Sequence, residues 1–192
     1  MVVDVETGGF NAATDALLEI AAVLVDWSAE RGWHRVTTIA HHIAPFEGAN
    51  LEEAALKFNK IDPHHPFRLA KSERDALSDV FTQIRDAVSK QGCTRAILVG
   101  HNPAFDLSFL KAAVERCRLK RNPFHSFSTF DTASLAGVAL GQTVLSRAVV
   151  AAELEWQEEE AHSAIYDAEK TADLFCVIVN RWDAGSHLSP SP

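Results

Sequence analysis

Ala96-Ile97-Leu98-Val99-Gly100 is an unbroken apolar run closed by a turn at His101-Asn102. Apolar residues without alternation suit a strand buried on both faces, the central position in a sheet. Whatever follows the carboxyl end of such a strand lies at a ligand-binding edge. There Pro103-Ala104-Phe105-Asp106 starts a helix that carries Phe109, Leu110, Ala113 and Val114, which places Asp106 in its first turn. An acid at a helix start also favours the macrodipole, a role that needs no ligand.

A second acidic feature opens the chain, in Val2-Val3-Asp4-Val5-Glu6-Thr7-Gly8-Gly9. Side chains on a strand repeat with a period of two, so Asp4 and Glu6 project from one face while Val3 and Val5 pack on the other. Like charges so placed repel unless the face is open to water or divalent cations sit between them. Gly8-Gly9 ends the strand and is read as allowing close approach of a ligand to the backbone.

A second strand is expected from near Leu18, with Glu19 inside it, and a third over Thr37 to Ile43 beyond a turn at Glu30-Arg31-Gly32. The chain thus opens as an antiparallel meander. Helical spacing follows from Asn50 to a stop at Ile61-Asp62-Pro63. It returns over Ser72 to Lys90, where Ser72 and Asp75 form a cap ahead of Leu77, Val80, Phe81, Ile84 and Val88. Arg116, Arg118, Lys120 and Arg121 are the densest positive cluster, with Phe124, Phe127 and Phe130 interleaved just after. Basic and aromatic residues together can hold phosphates and stack bases. Asp131 to Leu140 and Val144 to Leu154 are predicted as short helices, the second capped by Thr143. Trp156 to Glu160 reads as an acidic loop. A last helix runs to Trp182 with Asp167 in its first turns, and 185–192 is expected to be a frayed tail. Five residues on a helix turn through about 500°, so His162 meets Asp167 only if it lies in the loop before that helix.

With 192 residues, 47% of them hydrophobic, one domain over 1–184 is expected. No run of about 18 apolar residues and no basic-then-apolar leader occurs, which points to a cytoplasmic protein. Cys93, Cys117 and Cys176 share no CxxC spacing, against a disulfide framework or a structural zinc site. A net charge of -8 disfavours non-specific binding of nucleic acid unless basic residues are segregated from the acids.

Asp4-x-Glu6 on a first strand, Asn102-Pro103-Ala104-Phe105-Asp106 at a strand-to-helix junction, and His162-x-Ala164-x-x-Asp167 opening a late helix resemble the three motifs of the DEDDh exonucleases. The stretches Asp4 to Ala22, Phe58 to Pro63, Lys120 to Phe124, Phe130 to Leu145 and Phe175 to Trp182 further resemble the ribonuclease T branch of that family. The resemblance implies an α/β, ribonuclease H-like fold, a mixed central sheet flanked by helices in a single domain. It implies a homodimeric 3′-to-5′ exoribonuclease that trims the 3′ ends of transfer RNA and other stable RNAs and also degrades single-stranded DNA. Asp4, Glu6, Asp106 and Asp167 would hold two Mg²⁺ ions, with Mn²⁺ able to substitute, and His162 would be the general base. An all-carboxylate set does suit hard cations better than zinc, and an imidazole titrates near neutral pH. Phe10, Phe58, Phe105 and Phe127 match phenylalanines that stack on terminal bases. Arg95 and Lys120 match a basic patch that two-fold pairing sets opposite the partner's active site. Two departures are visible: the chain begins almost at the catalytic strand, where ribonuclease T has a further basic segment, and Ala54 stands where the branch has Glu. A polymerase proofreading exonuclease would share the same acids; a binding module with a defunct site is disfavoured by the intact catalytic positions.

Overall fold

The computed structural model describes residues 1–185, so the tail reading at 186–192 lies outside the described residues. Five strands, β1 (Val2–Thr7), β2 (Leu17–Ser28), β3 (Gly32–His42), β4 (Ala96–Gly100) and β5 (Phe124–Asp131), form one sheet in the order β3-β2-β1-β4-β5. β1, β2 and β3 pair antiparallel as a meander, whereas β4 runs parallel to β1 and to β5. The helices are α1 (Glu53–Asn59), α2 (Glu73–Lys90), α3 (Ala104–Arg116), α4 (Thr132–Leu140), α5 (Leu145–Ala151) and α6 (Ala164–Asp183), with a 3-10 turn at Pro66–Arg68. This is a mixed-sheet α/β domain.

The two sheet faces are covered by different helices, and strand periodicity decides which acids face which helix. Val3, Val5 and Leu98 pack with Phe81 and Ile84 of α2 and with Phe109 and Leu110 of α3. Val2 and Val99 pack instead on Ala164, Ala168, Ala172 and Phe175 of α6. Alanines four residues apart give α6 a smooth stripe that lies close on the sheet. Asp4 and Glu6 alternate with Val3 and Val5, so they share the α6 face of β1 with Val2. α4 and α5 close the far side of α6 through Ala136, Val149, Leu174 and Ile178. Among the described residues no single helix is long and apolar enough to cross a membrane; α4 and α5 pass such a test only as a pair bent by 43°.

Two local expectations are corrected, and one strand was not foreseen. β3 begins at Gly32, ahead of Thr37, because the carboxamide of Asn180 on α6 bonds both the N–H and the C=O of Trp33 and extends the hairpin. Phe124 to Asp131 is a strand: an edge strand pairs on one side only, and phenylalanines three apart do not alternate. α5 has Val144 at its N-cap without a side-chain cap, while the Thr143 carbonyl bonds the His101 ring at 2.8 Å. α4 starts one residue after Asp131, whose carboxylate accepts from the Ala133 N–H. Ser72 caps α2 as its position suggests, accepting from the Asp75 N–H.

Candidate active site

A cleft of about 380 Å³ opens over the carboxyl end of β1, between α1 and the start of α6. β1 supplies Asp4 and Glu6, and the first turn of α6 supplies Asp167. One carboxylate oxygen from each of the three lies within 4.8 Å of the others. Asp106, in the first turn of α3 and 4% exposed, accepts the Val5 N–H at 3.1 Å through Oδ1. His162 lies in the loop before α6 with φ of 67°, and its backbone N–H donates to Asp167 Oδ2 at 3.2 Å. That left-handed residue turns the chain so that His162 and Asp167 both line the cleft, which a continuous helix would forbid.

Among the described residues no Lys or Arg lines this cleft, and the carboxyl groups show it. Burial, then Asp106, Asp167, Glu6 and Glu19, holds Asp4 well above the usual carboxylate range. Burial and the charges of Asp167 and Glu19 push Glu6 up to about 8, against a hydrogen bond from Asn59. Burial raises Asp106 to about 7 against the Val5 N–H, and Asp167 to about 6 against the His162 N–H. Glu19 on β2 stands directly opposite Glu6 on β1. It was legible as an acid inside a strand, but only the register shows that it joins this field.

Among the described residues, two buried side-chain oxygens lack a hydrogen-bond partner, Asp167 Oδ1 and Thr171 Oγ1. A buried carboxylate oxygen without a donor, amid three more carboxylates, is the arrangement a cation completes. The acidic cluster therefore fits a divalent metal ion with oxygen ligands.

Aromatic residues rim the cleft on two sides. The Phe10 and Phe105 rings meet edge-on at 6.1 Å, and Phe58 lies 4.1 Å from the His162 ring. Phe10 is 82% and Phe58 62% exposed, so neither serves as core. Phe127 is also exposed but sits on β5 against His125, away from the cleft lining. Gly8 and Gly9 leave no room for a Cβ, yet the atoms it would strike belong to Leu51, Asn50 and Asp15 of this chain. Packing of the α1 approach explains the glycines, where the sequence suggested a ligand.

Arg95 lines a different cleft with Arg85 and Arg121, and Lys120 is exposed in the loop beside it. Arg95 precedes the first residue of β4, whereas Asn102 to Asp106 follow its last, so basic and acidic clefts lie at opposite ends of that strand. Arg116 does not join the basic group: its guanidinium holds Glu73 at 2.7 Å and covers the Phe46 ring at 3.9 Å.

A family model described as an exonuclease, that of RNase T, matches residues 1–175. Ribonuclease T of Citrobacter koseri is 58% identical over 183 residues, covering 95% of this chain and 85% of its own. The chain belongs to the ribonuclease T family of exonucleases. Ribonuclease T of Vibrio parahaemolyticus gives the same identity over 185 residues, with 96% and 86% covered. Among solved structures, Escherichia coli exonuclease I in complex with an oligonucleotide superposes with a TM-score of 0.72 at 17% identity, over 96% of this chain and 42% of that one. Exonuclease I of Methylocaldum szegediense gives 0.70 at 17% identity, over 95% and 40%. The chain thus spans about two fifths of the exonuclease I chains, and at this identity they show the shared fold.

Proposed function

We propose that this exonuclease removes nucleotides from the 3′ ends of single-stranded RNA in the cytoplasm, with transfer RNA and other stable RNAs as its substrates and single-stranded DNA as a further one. The observation that carries the reading is the carboxylate cluster of Asp4, Glu6 and Asp167, in which Asp167 Oδ1 has no hydrogen-bond partner. Asp4, Glu6, Asp106 and Asp167 would hold two Mg²⁺ or Mn²⁺ ions, which supply charge stabilisation for in-line attack of water on a phosphodiester. The chain's own part is positional. Asp167 fixes the His162 loop through its backbone N–H, and the Phe58 ring supports the imidazole, which accepts the proton of the attacking water. Phe10 and Phe105 offer faces to the terminal bases, a recognition that tolerates any base.

Phe127, Arg95 and Lys120 lie outside the cleft, so one subunit does not bring them to its own carboxylates. A two-fold homodimer in which each basic edge faces the partner's cleft would supply the missing positive charge.

The decisive experiment incubates the protein with end-labelled single-stranded RNA. A ladder shortening from the 3′ end in Mg²⁺, abolished by EDTA, is expected; internal cleavage or metal-independent activity would sink the reading. For the dimer, Asp4→Asn and the double variant Arg95→Ala, Lys120→Ala are each expected to be weak, and mixing them one to one after refolding should return about a quarter of wild-type activity. No recovery from confirmed dimers places both features in one subunit.

A further inference from the structure

A second cleft of about 390 Å³ adjoins the catalytic one and shares Asn59 and His162 with it, so the two are continuous past the proposed general base. Its outer wall is the 62–69 segment. Phe67 there is 83% exposed and Leu69 86%, the latter in a left-handed conformation with φ of 49°. A single exposed apolar residue needs no explanation. Phe67, however, is held in place while exposed. The Pro66–Arg68 turn is capped by His65, whose Nδ1 accepts the Phe67 N–H at 3.3 Å. The His65 and Phe67 rings lie 5.8 Å apart at 54°. The Arg68 guanidinium, 8% exposed, anchors the turn on the Leu18 and Ile43 carbonyls. A backbone so fixed leaves only the side-chain rotamer to be ordered when a planar ligand stacks on the ring.

Both acids of this cleft have partners, which leaves Lys60 as its exposed cation. Glu19 is engaged by the His42 ring at 2.8 Å and lies 3.9 Å from Arg68, and Asp62 accepts the His64 N–H at 3.0 Å. Lys60, exposed at the end of α1, lines the same cleft and can meet a phosphate.

We propose that this cleft is a second nucleotide subsite, in which Phe67 stacks a base and Lys60 meets its phosphate. The inference rests on the exonuclease reading for the identity of its ligand. Two sources share that chemistry: a flanking nucleotide of the bound strand, or the nucleoside monophosphate released by cleavage.

The test measures fluorescence anisotropy of a short single-stranded oligonucleotide, with hydrolysis blocked by Asp4→Asn and Ca²⁺ present. Phe67→Ala is added to that parent and compared with Phe67→Trp and Phe67→Leu; the side chain is exposed, so folding is not at stake. If the strand occupies the subsite, Phe67→Ala and Phe67→Leu weaken the oligonucleotide by about 5- to 150-fold while Phe67→Trp retains it. If the product does, oligonucleotide affinity stands and direct binding of AMP, read by calorimetry on the same parent, weakens by a similar factor in the same two variants. No measurable binding by the parent, equal affinities throughout, or a changed sedimentation with unchanged nucleotide binding would overturn the proposal. RNA digestion by the wild-type protein is scored separately, so an inert enzyme removes the exonuclease reading while the binding comparison still decides the subsite.

Discussion

Two regions of this molecule bury acids, and they treat them in opposite ways. Glu73, 6% exposed, receives Arg116 in two hydrogen bonds at 2.7 and 3.0 Å, and Asp15, 1% exposed, accepts from the Asn11 N–H, the Thr14 hydroxyl and the Asn50 carboxamide. Burial would raise Asp15, but these donors hold it below the usual carboxylate range. In the catalytic cluster, by contrast, Asp4, Glu6, Asp106 and Asp167 have one another and are all raised. The chain can satisfy buried carboxylates when it supplies donors. Where it leaves them repelling, a cation from outside can supply the missing partner.

The contrast is broken most severely by removing charge from the unsatisfied group. Asp4→Asn, Glu6→Gln, Asp106→Asn and Asp167→Asn are each expected to lower kcat by on the order of 10³-fold with folding intact. His162→Ala should cost about 10²- to 10⁴-fold while divalent-ion binding, read by calorimetry, persists. Full turnover in any of these variants removes that residue from the chemistry.

The same operation on the satisfied group should act on stability and spare activity. Arg116→Met strands the Glu73 carboxylate and is expected to cost about 3 kcal/mol, which for a chain of this size lowers Tm by roughly 6–12 °C. Below its melting range the variant should digest RNA at the wild-type rate. A loss of turnover without a loss of Tm would return Arg116 to the substrate path.

Titration distinguishes the two regions without mutation. Folded-state values of about 6 for Asp167, 7 for Asp106 and 8 for Glu6 all exceed the unfolded ones, so the folded protein binds more protons from about pH 4 upward. Stability from these groups is therefore present at low pH and lost as pH rises through 6 to 8. In EDTA, Tm should fall between pH 5 and pH 8, and a divalent ion at pH 8 should restore it. Asp167→Asn should flatten the slope. A Tm that rises over this window in EDTA would mean that the acids are not mutually repelling.

How much of this was legible in the sequence follows from the range of each signal. The buried β4, the opening meander, α2 with its Ser72 cap and the placement of Asp106 rest on local periodicity and were readable as such. β5 was not, because an edge strand need not alternate, nor was the early start of β3, which depends on Asn180 almost 150 residues away. The residues Asp4, Glu6, Asp106, His162 and Asp167 were named by motif; the strand period puts Asp4 and Glu6 on one face, while the meeting with Asp167 depends on the packing of α6 on that face. Arg116 shows the limit of composition: its neighbours in sequence make it part of a basic cluster, while its neighbour in space, Glu73, makes it structural. Glu19 was visible as a misfit, but its proximity to Glu6 is a property of register.

The smallest expected effect compares the two orphaned oxygens, which stand one helical turn apart on α6. Asp167 lines the catalytic cleft; Thr171, 1% exposed, does not. A buried hydroxyl without a partner keeps its desolvation cost, whereas an isosteric methyl group removes it. Thr171→Val preserves shape, so it should leave activity unchanged and stabilise the fold by up to about 1 kcal/mol, or roughly 2–4 °C in Tm. If that variant instead loses stability, a water or the metal site itself satisfies Thr171 Oγ1, and the two oxygens belong to one network. Repeating the melt with a divalent ion separates those cases: a loss seen only with the ion ties Thr171 to the site, and a loss seen equally in EDTA points to a buried water.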